Sequence, residues 1–496
     1  MSLLTTVIKL RAAKAEHALP LSRVRHHHLS HRPLIVIPLN RSGETASPLA
    51  LMLGTHQDRP HLLVAPPRGT NSDLLNDAAA VINTYIQGFQ QEIETRPATA
   101  KRPAQELYTD APQILVPNAT SAQYLQLLGR ALRFRPPPDG IDPTLSAPRL
   151  GQWLTYFSER REYPGSALML ALTDLLATHW ATGQSPMEDT NLAAILAWID
   201  PPPHTTGLRA ALDADNPLLH RPAGPTTDPS FDSIELDRIF KDFDTARASG
   251  NTQAQEHHLA DLRQTLHAYL RPTWNNAWTA LSLLQGLPQT PGANKRWTTD
   301  KIQFTQQSRY IDDGGRPQPI HDHAVQAARR LGQLEQAAAA FEAERALEDP
   351  FALAERHTTG EAFTGTVVET DPDHTALTDK GNLTLRPRFT LHTTDPLRLE
   401  PGHTLVTPAN TRRRYEICES TPEPGGTRIV MQSNTHNGTL RNPNREAIPD
   451  LGAEMCFTTA PEYFQQPQFP TRENTPWTHG GPPDDPAGSH PAEEDA

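Results

Sequence analysis

The sequence predicts an α+β protein of several domains: an N-terminal α+β unit, a helical middle ending in a long stalk-like helix, and a small C-terminal β-barrel. Three observations predict it. Residues 363–463 fall into short runs of β-branched and aromatic residues cut off by Pro, Gly, Asp or Asn, the pattern of strands joined by tight turns. Residues 149–350 instead carry apolar side chains at three- and four-residue spacing. Between them and the N-terminus, residues 33–135 mix apolar runs with helical stretches. Pro is frequent, 48 residues in 496, and it concentrates between candidate elements, so it marks the joints. A chain of this length is expected to hold about three domains.

Residues 1–32 are basic and His-rich, with His26, His27, His28 and His31 in one tract, and read as a flexible or surface lead-in. A His tract can hold a metal, but this one has no Cys or acidic partner at ligand spacing, so no metal site and no cofactor are expected. The start is interrupted by Lys9 and Arg11 too soon for a secretory signal, and no run approaches the ~20 apolar residues of a membrane span. A cytoplasmic location is expected, with no membrane partner.

The runs at 34–39, 49–55 and 61–67 read as three strands. A helix at 72–94 follows, with Leu75, Ala79, Ile82, Ile86 and Phe89 on one stripe, then a strand at 114–117 and a helix at 119–134. Three strands before a helix invite comparison with metal-dependent nucleases, which place acids and a Lys on adjacent strands to hold a cation at the phosphate. The third strand here has neither acid nor Lys, and Asp58 stands alone in the preceding turn, so a scaffold domain is the expectation. The segment 136–148, rich in Pro and Asp, reads as a linker.

Helices are expected at 150–157, 166–180 and 187–199, a Pro- and Thr-rich connection at 200–230, and further helices at 231–247 and 255–287, the last with Pro272 inside it. Trp153, Tyr156, Phe157, Trp180 and Trp198 read as core. The stalk runs over 321–347, with Ala327, Leu331, Leu334, Ala338 and Phe341 spaced as a short coiled-coil seam. His321, Asp322 and His323 precede it and are explained by helix capping.

In 361–464 the turns at 371–373, 401–402 and 424–426 close a small barrel of the SH3 or OB kind, and Tyr415, Ile417, Ile429 and Met431 alternate toward its inside. Arg412, Arg413 and Arg414 begin one strand. Together they read either as a nucleic-acid phosphate contact or as a solvated strand end. Two Cys, Cys418 and Cys456, exclude a disulfide framework and read as small buried side chains. The tail at 471–496 is acidic and Pro-rich and reads as disordered, with Trp477 as a docking residue for the chain itself or for a partner.

A long helix feeding a barrel that opens FTGTVV and contains a PGHTLV turn resembles the stalk-and-barrel appendage of superfamily 1 helicases, over 324–463. That resemblance implies a place beside a nucleic-acid motor. The ATPase core does not follow, because no GxxxxGK[ST] loop is present to cradle a triphosphate. The chain as a whole resembles an actinobacterial protein family that implies no activity.

The sequence also lacks GxGxxG before a helix, HExxH, paired CxxC and GxSxG, so no catalytic residue is expected. A net charge of −12 excludes a basic nucleic-acid wrapper, and residues 361–464 are themselves acidic on balance. The leading expectation is a non-enzymatic accessory or scaffold protein in a nucleic-acid-processing assembly, with another protein, a helicase or nuclease, as partner. A pure protein-interaction scaffold and an enzyme with an unrecognised site stand beside it.

Overall fold

The computed structural model describes residues 2–461 except 45–46, 68–71, 99–102, 138–139, 218, 222–223, 323, 378–380 and 445–447, together with 470, 471 and 474. Apart from Thr471 and Asn474, the acidic tail, with Trp477, lies outside the described residues.

The predicted N-terminal strands form at Leu34–Asn40, Pro48–Gly54 and His61–Val64, and the run at Ile114–Val116 joins them. Their sheet has five strands rather than four. Met169–Ala171 pairs parallel to Ile114–Val116, which pairs parallel to Leu34–Asn40, while the other two continue as an antiparallel meander. The two longest strands are buried along their whole length, as strands covered by helices on both faces must be.

That fifth strand removes the expected boundary at 136–148. It arises in the segment read as a helix over 166–180, which is instead a three-residue strand followed by the helix Leu172–His179. One hydrophobic core runs from Ala18 to Ile311 and joins the predicted α+β unit and most of the helical middle into a single body. Trp153, Trp198, Trp274, Phe157 and Phe304 are its largest fully buried side chains, and the long helix Thr252–Gln285 continues through Pro272. Trp274 Nε1 donates to the Gln57 carbonyl at 2.8 Å, anchoring that helix to the meander.

The N-terminal 32 residues are not a lead-in. Ser2 caps a helix at Leu3–Ala15, Leu19–Pro20 pairs with Trp180–Ala181, and Ser22, His26 and Ser30 are buried. Polar composition suggested a surface segment, but several of its polar atoms find partners on the body: Ser30 N–H donates to Gln113 Oε1 and Gln113 Nε2 donates to the His28 carbonyl.

The helix Pro291–Asp312 carries the chain to the connecting helix Ala324–Glu348. A shorter helix, Pro350–Thr359, follows, capped by Asp349 and closed by Gly360 at φ +77°. The expected seam is not continuous: Ala327 is exposed and Leu331 is 58% exposed. The connecting helix is held to the body largely by polar groups. Arg330 meets Glu159 and Glu162, Tyr163 donates to Gln333, and Lys295 and Arg296 meet Glu344.

The barrel is borne out. Six antiparallel strands close in the order Ala362–Asp371, Arg388–Thr393, Gly426–Ser433, Asn410–Glu423, Thr404–Thr407, Glu454–Thr459 and back to the first. Closure leaves no edge strand. Phe363, Phe389, Tyr415, Ile417, Ile429, Met431 and Phe457 fill its interior, as the alternation in the sequence predicts. Among the described residues no helix is long and apolar enough to cross a membrane.

Candidate functional site at the junction of body, connecting helix and barrel

The strand Asn410–Glu423 decides what the arginine triplet can do. Successive side chains of a strand point to opposite faces, so three consecutive residues cannot share one surface. Arg413 is 5% exposed, on the same side as Tyr415 and Ile417, and it hydrogen-bonds the Tyr415 hydroxyl. Arg412 is exposed. Arg414 is half-buried and its Nη2 donates to the Pro461 carbonyl at 3.3 Å. The triplet therefore supplies two outward guanidiniums and one buried brace.

Arg412 and Arg414 line a cleft of about 590 Å³ where barrel, connecting helix and body meet. Lys295 and His436 also line it, with Glu344 and Glu348 on the opposite wall. Both acids are engaged. Glu344 takes Lys295 at 3.0 Å together with Arg296, and Glu348 Oε1 accepts from the Gly292 N–H at 2.6 Å at the start of the Pro291–Asp312 helix. A carboxylate there is favoured by the helix dipole. Glu344 is thereby neutralised by its two cations, whereas Glu348 keeps its charge and only one of its oxygens is engaged, so the cleft sets Arg412 and Arg414 across from one paired and one unneutralised carboxylate.

Beneath the same junction lies the histidine tract. His26 Nε2 is 3.2 Å from Asp349 Oδ2, with both side chains almost fully buried. Burial disfavours the Asp349 carboxylate, yet bonds from His26, Ser22 and the Phe351 N–H hold it below the usual range. His28 stacks on Trp297 at 4.3 Å. Burial lowers His27 to about 3, helped by the nearby Arg296 charge, and lowers His28 and His179 to about 4. His27 and His28 are thus neutral wedges between the body and the connecting helix. Among the described residues no group of three or more His, Cys, Asp or Glu side chains is placed to hold a metal ion. Of the capping triplet, His321 and Asp322 are exposed and His323 lies outside the described residues.

A second cleft, of about 850 Å³, separates the connecting helix from the body and is lined by Arg160, Tyr163, Asp300, Gln303, Gln336 and Phe341 among others. Of its two acids, Glu344 is paired with Lys295 and Arg296, and Asp300 is structural. One oxygen accepts from the Ala167 N–H at 2.7 Å, and the other from Ser166 Oγ at 2.9 Å and Arg160 at 3.2 Å. Burial raises its carboxyl above the usual range against these bonds.

The third strand holds no acid, and Asp58 is 79% exposed beside Arg59, so the geometry supplies no cation cradle there. Sequence reasoning missed one grouping altogether. His357, Asp395 and Cys456 are far apart in the chain and meet where the short helix covers the outer face of the barrel. Comparison with family models, with curated proteins and with solved structures finds no match to this chain.

Proposed function

We propose that the protein is an accessory scaffold of a nucleic-acid-processing assembly, holding single-stranded nucleic acid in the cleft walled by Arg412 and Arg414 while its body engages a helicase or nuclease. The observation that carries this reading is the pair of guanidiniums on one wall of a cleft whose facing Glu344 is already paired with Lys295 and Arg296. Guanidiniums suit phosphate because their planar fork donates two parallel hydrogen bonds. The overall charge of −12 confines binding to such a local patch.

Titration of the full chain with a labelled oligonucleotide at 50 and 200 mM salt tests it. Two single-strand phosphate contacts give a loss of about sevenfold over that range. Arg412→Ala with Arg414→Ala is expected to weaken binding and flatten that dependence, while Arg59→Ala, on an exposed turn of the body, leaves it unchanged. Binding that is absent at 50 mM salt, or indifferent to the double substitution, refutes the reading.

A scaffold without nucleic-acid contact is favoured by a different observation. Leu377 and Leu383 face each other across a hairpin and are 71% and 55% exposed, and Val368 and Leu451 are exposed on the same half of the barrel. Loss of partner capture in Leu377→Asp with oligonucleotide binding absent selects that reading.

A further inference from the structure

Independently of the cleft, we propose that Cys456 is a nucleophilic thiol, activated by His357 and oriented through Asp395, that accepts acyl groups from small activated esters or thioesters. The strand Glu454–Thr459 turns Phe457 into the barrel and Cys456 outward, where the helix Pro350–Thr359 passes over it. Cys456 Sγ is 3.5 Å from His357 Nε2, a hydrogen-bond distance for sulfur. His357 Nδ1 is 3.1 Å from Asp395 Oδ2. A carboxylate only accepts, so Nδ1 carries the ring proton and Nε2 faces the thiol with its lone pair. This is the tautomer a general base needs.

Asp395 is itself held. Its Oδ2 accepts from the Thr364 N–H at 2.7 Å, and its own N–H donates to Thr393 Oγ1 at 3.1 Å. Thr364 also pairs with Cys456 across the barrel strands, fixing thiol and carboxylate to one backbone segment. Nucleophile, base and orienting acid thus stand in line, which is the arrangement that identifies an activated thiol by geometry rather than by sequence order. The side chains of His357 and Asp395 are 26% and 34% exposed, so a small reagent reaches them from solvent. Burial holds the thiol above its ordinary value, so the resting group is SH and the base acts during attack.

In the step, the Sγ–H proton passes to His357 Nε2 as sulfur attacks the acyl carbon. The S–C bond forms, the C–O or C–S bond of the donor breaks, and the proton moves from Nε2 to the departing alcohol, phenol or thiol. The product is an S-acyl Cys456 with no net oxidation or reduction. Asp395 acts through His357 and is a positioning residue.

The chain carries its own control. Cys418 is half-buried in the same barrel, and burial raises its thiol too, but its charged neighbours are Arg388, Glu416 and Glu419 rather than an imidazole. The full chain is incubated at pH 7 with p-nitrophenyl acetate, and acetylation of each cysteine is followed by peptide mass spectrometry. Cys456 is expected to acetylate at least about tenfold faster than Cys418. His357→Ala should remove at least about a hundredfold of its rate, as loss of a general base does, and added imidazole should restore part of it. Asp395→Asn should slow Cys456 alone, with recovery in Asp395→Glu and an unchanged rate at Cys418. Equal labelling of the two cysteines in the wild-type chain overturns the proposal without any variant. A His357→Ala protein with an unchanged Cys456 rate, or one that imidazole does not rescue, overturns it as well.

Discussion

Lowering the pH from 7 to 5 should destabilise the protein steeply, and the histidine tract sets the size of the effect. His27 is held at about 3, and His28 and His179 at about 4, against about 6.5 in an unfolded chain. Well above pH 6.5 none is charged in either state, so their full contribution to stability is present there. Between about 6.5 and 4 the unfolded chain binds close to three protons that the fold refuses. Proton linkage then gives a loss approaching about 4 kcal/mol per pH unit near pH 5. Burial is the main cause at all three sites. The Arg296 and Arg345 charges oppose protonation of His27, while Asp110 beside His28 and Asp349 near His179 work the other way. Urea unfolding at pH 7, 6 and 5 and constant ionic strength measures the slope. His28→Phe keeps a ring stacked on Trp297 and removes one titration, so it should lower the slope by about a third. A stability that is flat from pH 7 to 5, or a His28→Phe slope equal to wild type, refutes the assignment of three neutral histidines.

Asp300→Ala leaves Arg160, Ser166 and the Ala167 N–H without their acceptor. Removing one partner of a buried pair costs about 3–5 kcal/mol, so thermal melting should drop by about 5–8 °C; a change under about 2 °C contradicts the structural role. Gly151 lets the helices Ala119–Leu132 and Ala147–Arg161 approach closely, since a Cβ there would lie 2.4 Å from Arg133 N and 2.8 Å from its Cα. Gly151→Ala should cost about 1–3 kcal/mol in urea unfolding. An unchanged midpoint would mean the contact yields freely. Phe457→Ala empties the centre of the barrel, where its ring packs on Phe363, Phe389 and Tyr415. A loss of about 3–5 kcal/mol is expected, read as earlier exposure of Cys418 to a thiol reagent in urea.

The barrel was legible because its turns are written in residues with one physical use, such as Pro424, Gly425 and Gly426 closing a hairpin, and because Tyr415, Ile417, Ile429 and Met431 keep the period of a strand. The meander and the helix Ser72–Gln87 were legible for the same reason of period. Met169–Ala171 was not, since a buried parallel strand reads as an unbroken apolar run and merges with the helix after it. The helix Pro291–Asp312 went unread although Thr290 caps it and Pro291 starts it, because Lys295, Arg296, Lys301 and Arg309 dilute its apolar stripe. Burial of His26 and the split of Arg412 from Arg413 follow from tertiary partners and strand parity. The grouping of His357, Asp395 and Cys456 exists only in three dimensions.

The connecting helix meets the body mainly through Arg330, Gln333 and Glu344 rather than through a greasy stripe. Contacts of that kind loosen in brine far more readily than a hydrophobic seam does. Ionic strength therefore acts as a tension control on the mooring of the barrel. Dilute buffer holds it taut against the body, and concentrated salt lets out slack without melting either of the two cores.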